Sequence, residues 1–229
     1  MSLGVPYCSV GDCCDRDEFD AGGYDSTFGD SFARRMARRY RKRGLSPAAL
    51  GISTFLTERG IAGATLLEIG GGVGELQIEL LRQGAARATN LEISGSYEAE
   101  ATALLEQAGL QGRVDRRQLD IARTPDQVAT ADVVVLHRVV CCYPDYERLL
   151  SAAGSKAVRL LVFSHPPRNL VSRTAMAWEN TWRRVKGDSF RTFVHPPRDM
   201  LAVLAATGLR PTYRWRGLGW RVVGLERAV

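Results

Sequence analysis

The chain has 229 residues and a net charge of +6, and 45% of its residues are hydrophobic. This length suits one α/β domain with additions and a sizeable core. The apolar runs are too short for a membrane span, and the N-terminal residues lack the basic-then-apolar order of a secretory signal. Five cysteines, an odd number, fit a reducing compartment better than a disulfide framework, so the cytoplasm is the expected location.

Residues 1–45 are predicted to form an acidic, cysteine-containing leader, loosely structured over residues 1–30, and a basic helix at residues 31–43. This N-terminal part could also act as a lid. Within it, residues 34–43 hold seven basic side chains in ten positions. One interpretation is a solvated helix surface paired with the acidic residues before it. The other is a surface that binds the phosphates of RNA or of an anionic membrane. The absence of a recognisable RNA-binding module in the sequence favours the solvated surface.

A glycine-rich turn follows the first predicted strand, in the segment Leu-Leu-Glu-Ile-Gly-Gly-Gly-Val-Gly at residues 66–74. Glycine has no Cβ, so the backbone of such a turn can come into contact with a ligand. A dinucleotide fingerprint needs glycines at its first, third and sixth positions, and the sixth position from Gly70 is Glu75. The turn therefore predicts a ligand site of another kind, in front of a helix at residues 75–83.

Acidic residues also follow the next predicted strands. Glu92 ends a strand at residues 88–93, and Asp120 follows a strand at residues 113–119. Parallel α/β sheets bind ligands beyond the carboxyl ends of their strands, where a carboxylate such as Glu92 can accept hydrogen bonds from both hydroxyls of a ribose. The alternative is that these acids are solvated, and Asp115 competes with Asp120 for its role.

The rest of the chain alternates between helices and strands. After a continuously apolar strand at residues 131–136, an inserted helix is predicted within about residues 168–188. The last two strands are joined by a short turn at residues 217–219, which predicts an antiparallel pair. Further helices are predicted at residues 46–59, 94–108, 145–153 and 197–206, and further strands at residues 157–164, 210–216 and 220–226.

The acid-x-Gly-x-Gly-x-Gly segment that begins at Glu68, with the two later strand-end acids, resembles the motifs of class I S-adenosylmethionine-dependent methyltransferases. The resemblance covers roughly residues 46–227 and implies a methyltransferase domain at residues 46–229. The implied fold is α/β: a Rossmann-like, seven-stranded, mostly parallel sheet with helices on both faces and a C-terminal antiparallel strand pair. In this family the glycines approach the methionine part and the ribose of S-adenosylmethionine, and the acid after the third strand binds the adenine amino group. The implied cofactor-binding residues are Glu68, Gly70, Gly71, Gly72, Gly74, Glu92, Ile93, Asp120, Ile121 and His137.

Two residues after the fourth strand are candidates for catalysis. His137 could act as a general base if the acceptor must lose a proton, or it could only pack against the cofactor. Arg138 could bind a carboxylate of the acceptor, or form a salt bridge with a neighbouring acid. The segment at residues 137–144 lacks the Asn/Asp-Pro-Pro-aromatic sequence that is typical of enzymes methylating exocyclic nitrogens of bases. It looks more like the small-molecule branch, whose acceptors include porphyrins, quinones and lipids.

Aromatic residues of the insertion, Trp178 and Trp182, with Phe190 and Phe193 after it, are expected to line an apolar acceptor pocket, to form a lid, or to pack in the core. No metal site is predicted, since the cysteine spacing is not typical of zinc. The favoured function is methyl transfer to a small-molecule acceptor. The alternatives are an RNA-modifying methyltransferase that uses the basic helix, and a cofactor-binding module without catalysis.

Overall fold

A computed structural model describes residues 21–228 of the chain. The described residues form seven strands: β1 Thr65–Ile69, β2 Arg87–Glu92, β3 Val114–Gln118, β4 Ala131–Leu136, β5 Ala157–His165, β6 Leu209–Arg216 and β7 Arg221–Arg227. They also form eight α-helices: α1 Ala21–Thr27, α2 Asp30–Arg43, α3 Pro47–Glu58, α4 Glu75–Arg82, α5 Glu98–Ala108, α6 Tyr146–Lys156, α7 Leu170–Val185 and α8 Pro197–Ala206.

The strands form one sheet in the order β3-β2-β1-β4-β5-β7-β6. The first five strands are parallel to one another, and β7 runs antiparallel to both β5 and β6. The predicted seven-stranded, mostly parallel sheet with a C-terminal antiparallel pair is therefore confirmed. The chain reaches the sheet edge with β6 before β7 fills the position beside β5.

Helices cover both faces of the sheet, as expected. In β4, Val133 and Val135 face a core formed with α2 to α5, whereas Val134 and Leu136 face a second core formed with α6 and α8. Successive side chains of a strand point to opposite faces, so a strand covered on both sides is apolar throughout. This explains why β4 reads as an uninterrupted hydrophobic run.

The helix ends follow the capping residues in the sequence. The hydroxyl of Ser46 accepts a hydrogen bond from the N–H of Ala49 at 3.3 Å and so caps α3. Gly109 ends α5 in the left-handed conformation, with φ of 67°. One difference lies near the N-terminus, where residues 21–27 of the predicted loose leader form α1. The rest of that leader, with Cys8, Cys13 and Cys14, lies outside the described residues.

Candidate functional site

Two glycines in the turn after β1 leave no room for a side chain. A Cβ on Gly70 would lie 2.5 Å from Cγ2 of Val139, and one on Gly71 would lie 2.1 Å from Nδ2 of Asn90. Gly70 also has a φ of 63°, and its N–H donates to the carbonyl of Leu91 at 2.7 Å. The turn is thus held between β2 and the segment after β4, and only glycine satisfies both its conformation and its packing.

Glu92 connects the end of β2 to this turn. One carboxylate oxygen accepts the N–H of Gly72 at 2.9 Å, and the other accepts the N–H groups of Ile93 and Ser94 at 2.9 and 3.4 Å. Burial raises the pKa of Glu92, while these backbone donors act in the opposite direction. The hydrogen bonds fix the orientation of the carboxylate at the carboxyl edge of the sheet.

Glu68 lies beneath the turn, where a Cβ on Gly71 would be 2.9 Å from its Oε2 atom. Burial, and then the nearby charge of Glu75, raise the pKa of Glu68 to about 8. Its Oε2 atom is buried and has no hydrogen-bond partner among residues 21–228, and the same holds for Oε2 of Glu75. Two carboxyl groups at the glycine turn therefore each have an acceptor oxygen to spare.

Asp120 follows β3 and is fixed by two contacts. Its Oδ1 atom accepts the N–H of Ala122 at 2.9 Å, and its Oδ2 atom accepts the hydroxyl of Tyr143 at 2.9 Å. Ile121, next in the chain, is buried. The link to Tyr143 could not be predicted from the sequence, because it joins two loops that meet only in the folded sheet.

His137 directly follows β4 and contacts Ser164 of β5, with 3.0 Å between Nδ1 and Oγ. Ser164 is fully buried, and its Oγ atom also accepts the N–H of Arg138 at 2.8 Å. The hydroxyl proton of Ser164 then favours His137 Nδ1 as its acceptor, which leaves the imidazole proton on Nε2. Burial, and then the charges of Arg138 and Arg39, lower the pKa of His137 to about 3.

One cavity of about 490 Å³ collects most of the residues that the sequence singled out. Of the predicted site residues, those lining it are Glu68, Gly70, Gly71, Gly72, Glu92, Ile93, Asp120, Ile121, His137 and Arg138. Gly74 does not line it; this residue precedes α4 in the left-handed conformation, with φ of 82°. The size lies within the range typical of small-molecule sites.

Helix α1 lies over this cavity and is attached on three sides. The Tyr24 hydroxyl donates to the carbonyl of Cys142, Ser94 Oγ donates to Asp25 Oδ1 at 2.5 Å, and Arg183 of α7 donates to Thr27 Oγ1 at 2.9 Å. Aromatic rings of α1 and of the residues around it contact one another, namely those of Tyr24, Phe28, Phe32, Tyr97 and Phe190. Of this wall, the sequence had singled out Phe190, and residues 1–45 had been predicted as a lid without naming the side chains that form it.

Two of the three expectations for the tryptophans of the insertion were wrong, namely that they line the acceptor pocket or pack in the core, and their role in a lid stays a prediction. Trp178 and Trp182 are 76% and 54% exposed, and neither lines the cavity or packs in the core. The opposite face of α7 lines the cavity, through Met176, Glu179 and Arg183. An amphipathic pattern gives the faces of a helix but not which face turns inward, and here the polar side makes the contacts. Phe190 is buried and lines the cavity, as expected.

Two cysteines lie in the wall of the cavity. Cys141 and Cys142 are free thiols with 3.6 Å between their sulfurs, and both line the cavity. Among residues 21–228 there is no group of three or more potential metal-binding side chains. In the same part of the chain, no helix combines the length and apolar character needed to cross a membrane.

Residues 67–154 match the family model described as "Methyltransferase domain". No curated protein sequence matches the chain. Among solved structures, the chain resembles magnesium protoporphyrin IX methyltransferase from Synechocystis PCC 6803 with bound S-adenosylhomocysteine. The TM-score is 0.71 at 19% identity, with 91% of this chain and 100% of that one covered.

Two further structures are similar. An O-methyltransferase family protein from Burkholderia thailandensis gives a TM-score of 0.67 at 17% identity, over 90% of this chain and 61% of that one. The pyocyanin biosynthetic protein PhzM gives 0.62 at 20% identity, over 91% and 62%. At these identities the likeness establishes the fold, and the family match covers less than half of the chain, at residues 67–154.

Proposed function

We propose that the chain is a class I S-adenosylmethionine-dependent methyltransferase, which transfers a methyl group from S-adenosylmethionine to a small molecule bound in the cavity. The match of residues 67–154 to a methyltransferase domain and the likeness in fold support this proposal. One observation carries this proposal. A single cavity runs from the strand-end carboxylates to an apolar region enclosed by α1, α2 and α7. Cofactor and acceptor can therefore meet in one continuous space.

The strand-end residues suit the cofactor by their chemistry. Glu92 keeps lone pairs that can accept the ribose hydroxyls, and Asp120 with Ile121 would bind the adenine, with Ile93 against one face. Near the glycine turn, the spare oxygens of Glu68 and Glu75 suit the ammonium group in the amino-acid part of the cofactor.

The other end of the cavity suits an apolar acceptor. Its wall includes Phe28, Phe32, Met36, Met176 and Phe190. Apolar side chains with a few polar groups are the usual lining of small-molecule sites. The attachments of α1 on three sides restrict access, which favours a molecule that fits inside over a folded nucleic acid.

Methyl transfer from a sulfonium depends mainly on positioning. The acceptor atom forms a bond to the methyl carbon while the electrons of the C–S bond return to sulfur, which yields S-adenosylhomocysteine. A neutral His137 with a pKa of about 3 is a weak base at neutral pH, but its Nε2–H can donate a hydrogen bond that orients the acceptor. We therefore expect an acceptor atom with an available electron pair at neutral pH, such as a carboxylate, thiolate or aromatic amine.

Calorimetry and a transfer assay test this function together. Wild-type protein should bind S-adenosylhomocysteine, and it should transfer radiolabelled methyl from S-adenosylmethionine to at least one member of a panel of apolar carboxylic acids, thiols, amines and phenols. Failure to bind S-adenosylhomocysteine would contradict the proposal. Tight binding without transfer to any member of the panel would favour a module without catalysis.

The RNA alternative stays a prediction. The basic side chains at residues 34–43 are exposed, but no other feature of the described residues favours RNA. It requires RNA binding that weakens as salt increases and is lost when Arg38, Arg39 and Arg41 become Ala. Binding that does not respond to salt would dismiss it.

A further inference from the structure

Arg138 lies in the cavity in an unusual conformation. It directly follows His137 after β4, and among residues 21–228 it is the one non-glycine residue with a positive φ, at 63°. Residues other than glycine rarely adopt this conformation, and those that do are concentrated at functional sites. The backbone of Arg138 therefore has a conformation that is typical of functional residues.

The guanidinium of Arg138 has unused hydrogen-bonding capacity. Its Nε atom is buried without a hydrogen-bond partner, and within residues 21–228 no ion pair is formed by this side chain. The salt bridge considered from the sequence is therefore absent from the described part of the chain. A guanidinium has five N–H donors and is always charged. An unpaired guanidinium in a cavity is therefore suited to bind an anionic group.

Nearby groups hold this cation in place and add to its field. The carbon at the centre of the guanidinium lies 5.1 Å from the ring centroid of Trp220, a distance typical of a cation–π contact. Burial, and then the positive charge of Arg39, lower the pKa of Arg138, whereas the charge of Glu75 acts in the opposite direction. Stacking on an aromatic ring leaves the N–H edge of a guanidinium free to bind a planar anion with two parallel hydrogen bonds.

We propose that Arg138 binds a carboxylate group inside the cavity. This inference rests on the proposed function and narrows it, because the group belongs either to the acceptor or to the amino-acid part of the cofactor. A carboxylate matches the two-pronged guanidinium edge, and Trp220 beside it suits an aromatic or apolar body attached to the carboxylate.

The first arm of the test concerns the acceptor. Protein saturated with S-adenosylhomocysteine is titrated with 2-naphthoate and with 2-naphthamide, which share a shape but differ in charge. If the acceptor supplies the carboxylate, wild type binds the naphthoate roughly tenfold or more tightly. Arg138→Gln should abolish this preference, and Arg138→Lys should restore part of it.

The second arm concerns the cofactor. Affinities are measured for S-adenosylhomocysteine and for 5′-methylthioadenosine, which lacks the amino-acid part. If that part supplies the carboxylate, Arg138→Gln weakens the binding of S-adenosylhomocysteine roughly tenfold or more and leaves 5′-methylthioadenosine unchanged. Either arm supports the subsite and identifies its ligand.

Arg173→Gln is the matched control, since it makes the same change at an exposed position on α7. It should alter none of these affinities. If Arg138→Gln changes neither the naphthoate preference nor the binding of S-adenosylhomocysteine, the subsite does not exist. Wild-type protein that binds neither adenosyl compound would instead contradict the proposed function, and this inference with it.

Discussion

The carboxylate of Glu92 and the backbone N–H of Gly72 are joined by a hydrogen bond of 2.9 Å. This bond links the last residue of β2 to the middle of the glycine turn, so two parts of the cofactor site are fixed relative to each other. A carboxylate can accept further hydrogen bonds on its remaining lone pairs, and the site therefore does not need to rearrange to take up a ribose.

Glu92→Gln should weaken the binding of S-adenosylhomocysteine by more than tenfold. The amide keeps the shape of the side chain but loses the charge and one acceptor oxygen, which removes charge-assisted hydrogen bonds. Isothermal titration calorimetry measures the effect, with Glu106→Gln on the exposed face of α5 as the control. Unchanged affinity would mean that the ribose is not bound at the end of β2.

Glu68→Gln should gain stability relative to wild type as the pH rises. The pKa of Glu68 is raised to about 8 in the folded protein, above its value in the unfolded chain, so the folded state holds the proton more tightly. Glu68 therefore makes its full contribution to the free energy of unfolding below about pH 4.5, and this contribution is lost as the pH rises through about 8. Between these two pH values, the difference in the free energy of unfolding between Glu68→Gln and wild type should change by a few kcal/mol, on the order of 1.4 kcal/mol per pKa unit.

Urea unfolding of both proteins at a series of pH values measures this difference. Glu106→Gln, at an exposed position, provides the comparison and should show no such trend. A difference that stays constant from pH 5 to pH 8 would show that Glu68 is ionised throughout.

His137 should remain neutral well below physiological pH. Burial and two nearby arginines lower its pKa to about 3, and its Nδ1 atom contacts Ser164. NMR of the imidazole in isotopically labelled protein should show no titration between pH 5 and pH 8, with the proton on Nε2. A titration near pH 6.5 would instead support the general-base role.

Two alanine substitutions in the glycine turn, Gly70→Ala and Gly72→Ala, should lower the free energy of unfolding by different amounts. Gly70 and Gly72 both have positive φ, so each change costs about 1–2 kcal/mol through backbone strain. At Gly70 the new Cβ would also lie 2.5 Å from Val139, whereas at Gly72 the nearest atom is 3.4 Å away in Tyr97. Gly70→Ala should therefore lower the free energy of unfolding further than Gly72→Ala.

Val139→Ala in the Gly70→Ala background separates the two causes. It should recover the steric part of the loss but not the part due to strain, as measured by urea unfolding. Equal destabilisation by the two single substitutions would show that the turn moves away from Val139 without difficulty.

Most strands and helices could be predicted because local features specify them, whereas the architecture of the sheet followed from the family resemblance. Apolar runs mark β1 and β4, while Ser46 and Gly109 mark helix ends. The three acids could be located because a strand-end position is visible in the sequence, and parallel strands bring those ends to one edge.

Contacts between distant residues could not be predicted in this way. Ser164 is 27 residues from His137, and Tyr143 is 23 residues from Asp120, yet these partners fix the hydrogen bonding of both site residues. The orientation of α7 depends on what surrounds it in three dimensions, which is why its tryptophans were assigned to the wrong side. The strained backbone of Arg138 likewise has no signal in the sequence.

A crystal structure of the protein with S-adenosylhomocysteine would locate the cofactor directly. The ribose hydroxyls should lie within about 3.2 Å of the Glu92 carboxylate, with the adenine near Asp120 and Ile121 and the amino-acid part at the glycine turn. A cofactor bound outside this cavity, or with its ribose away from Glu92, would contradict this assignment of the site.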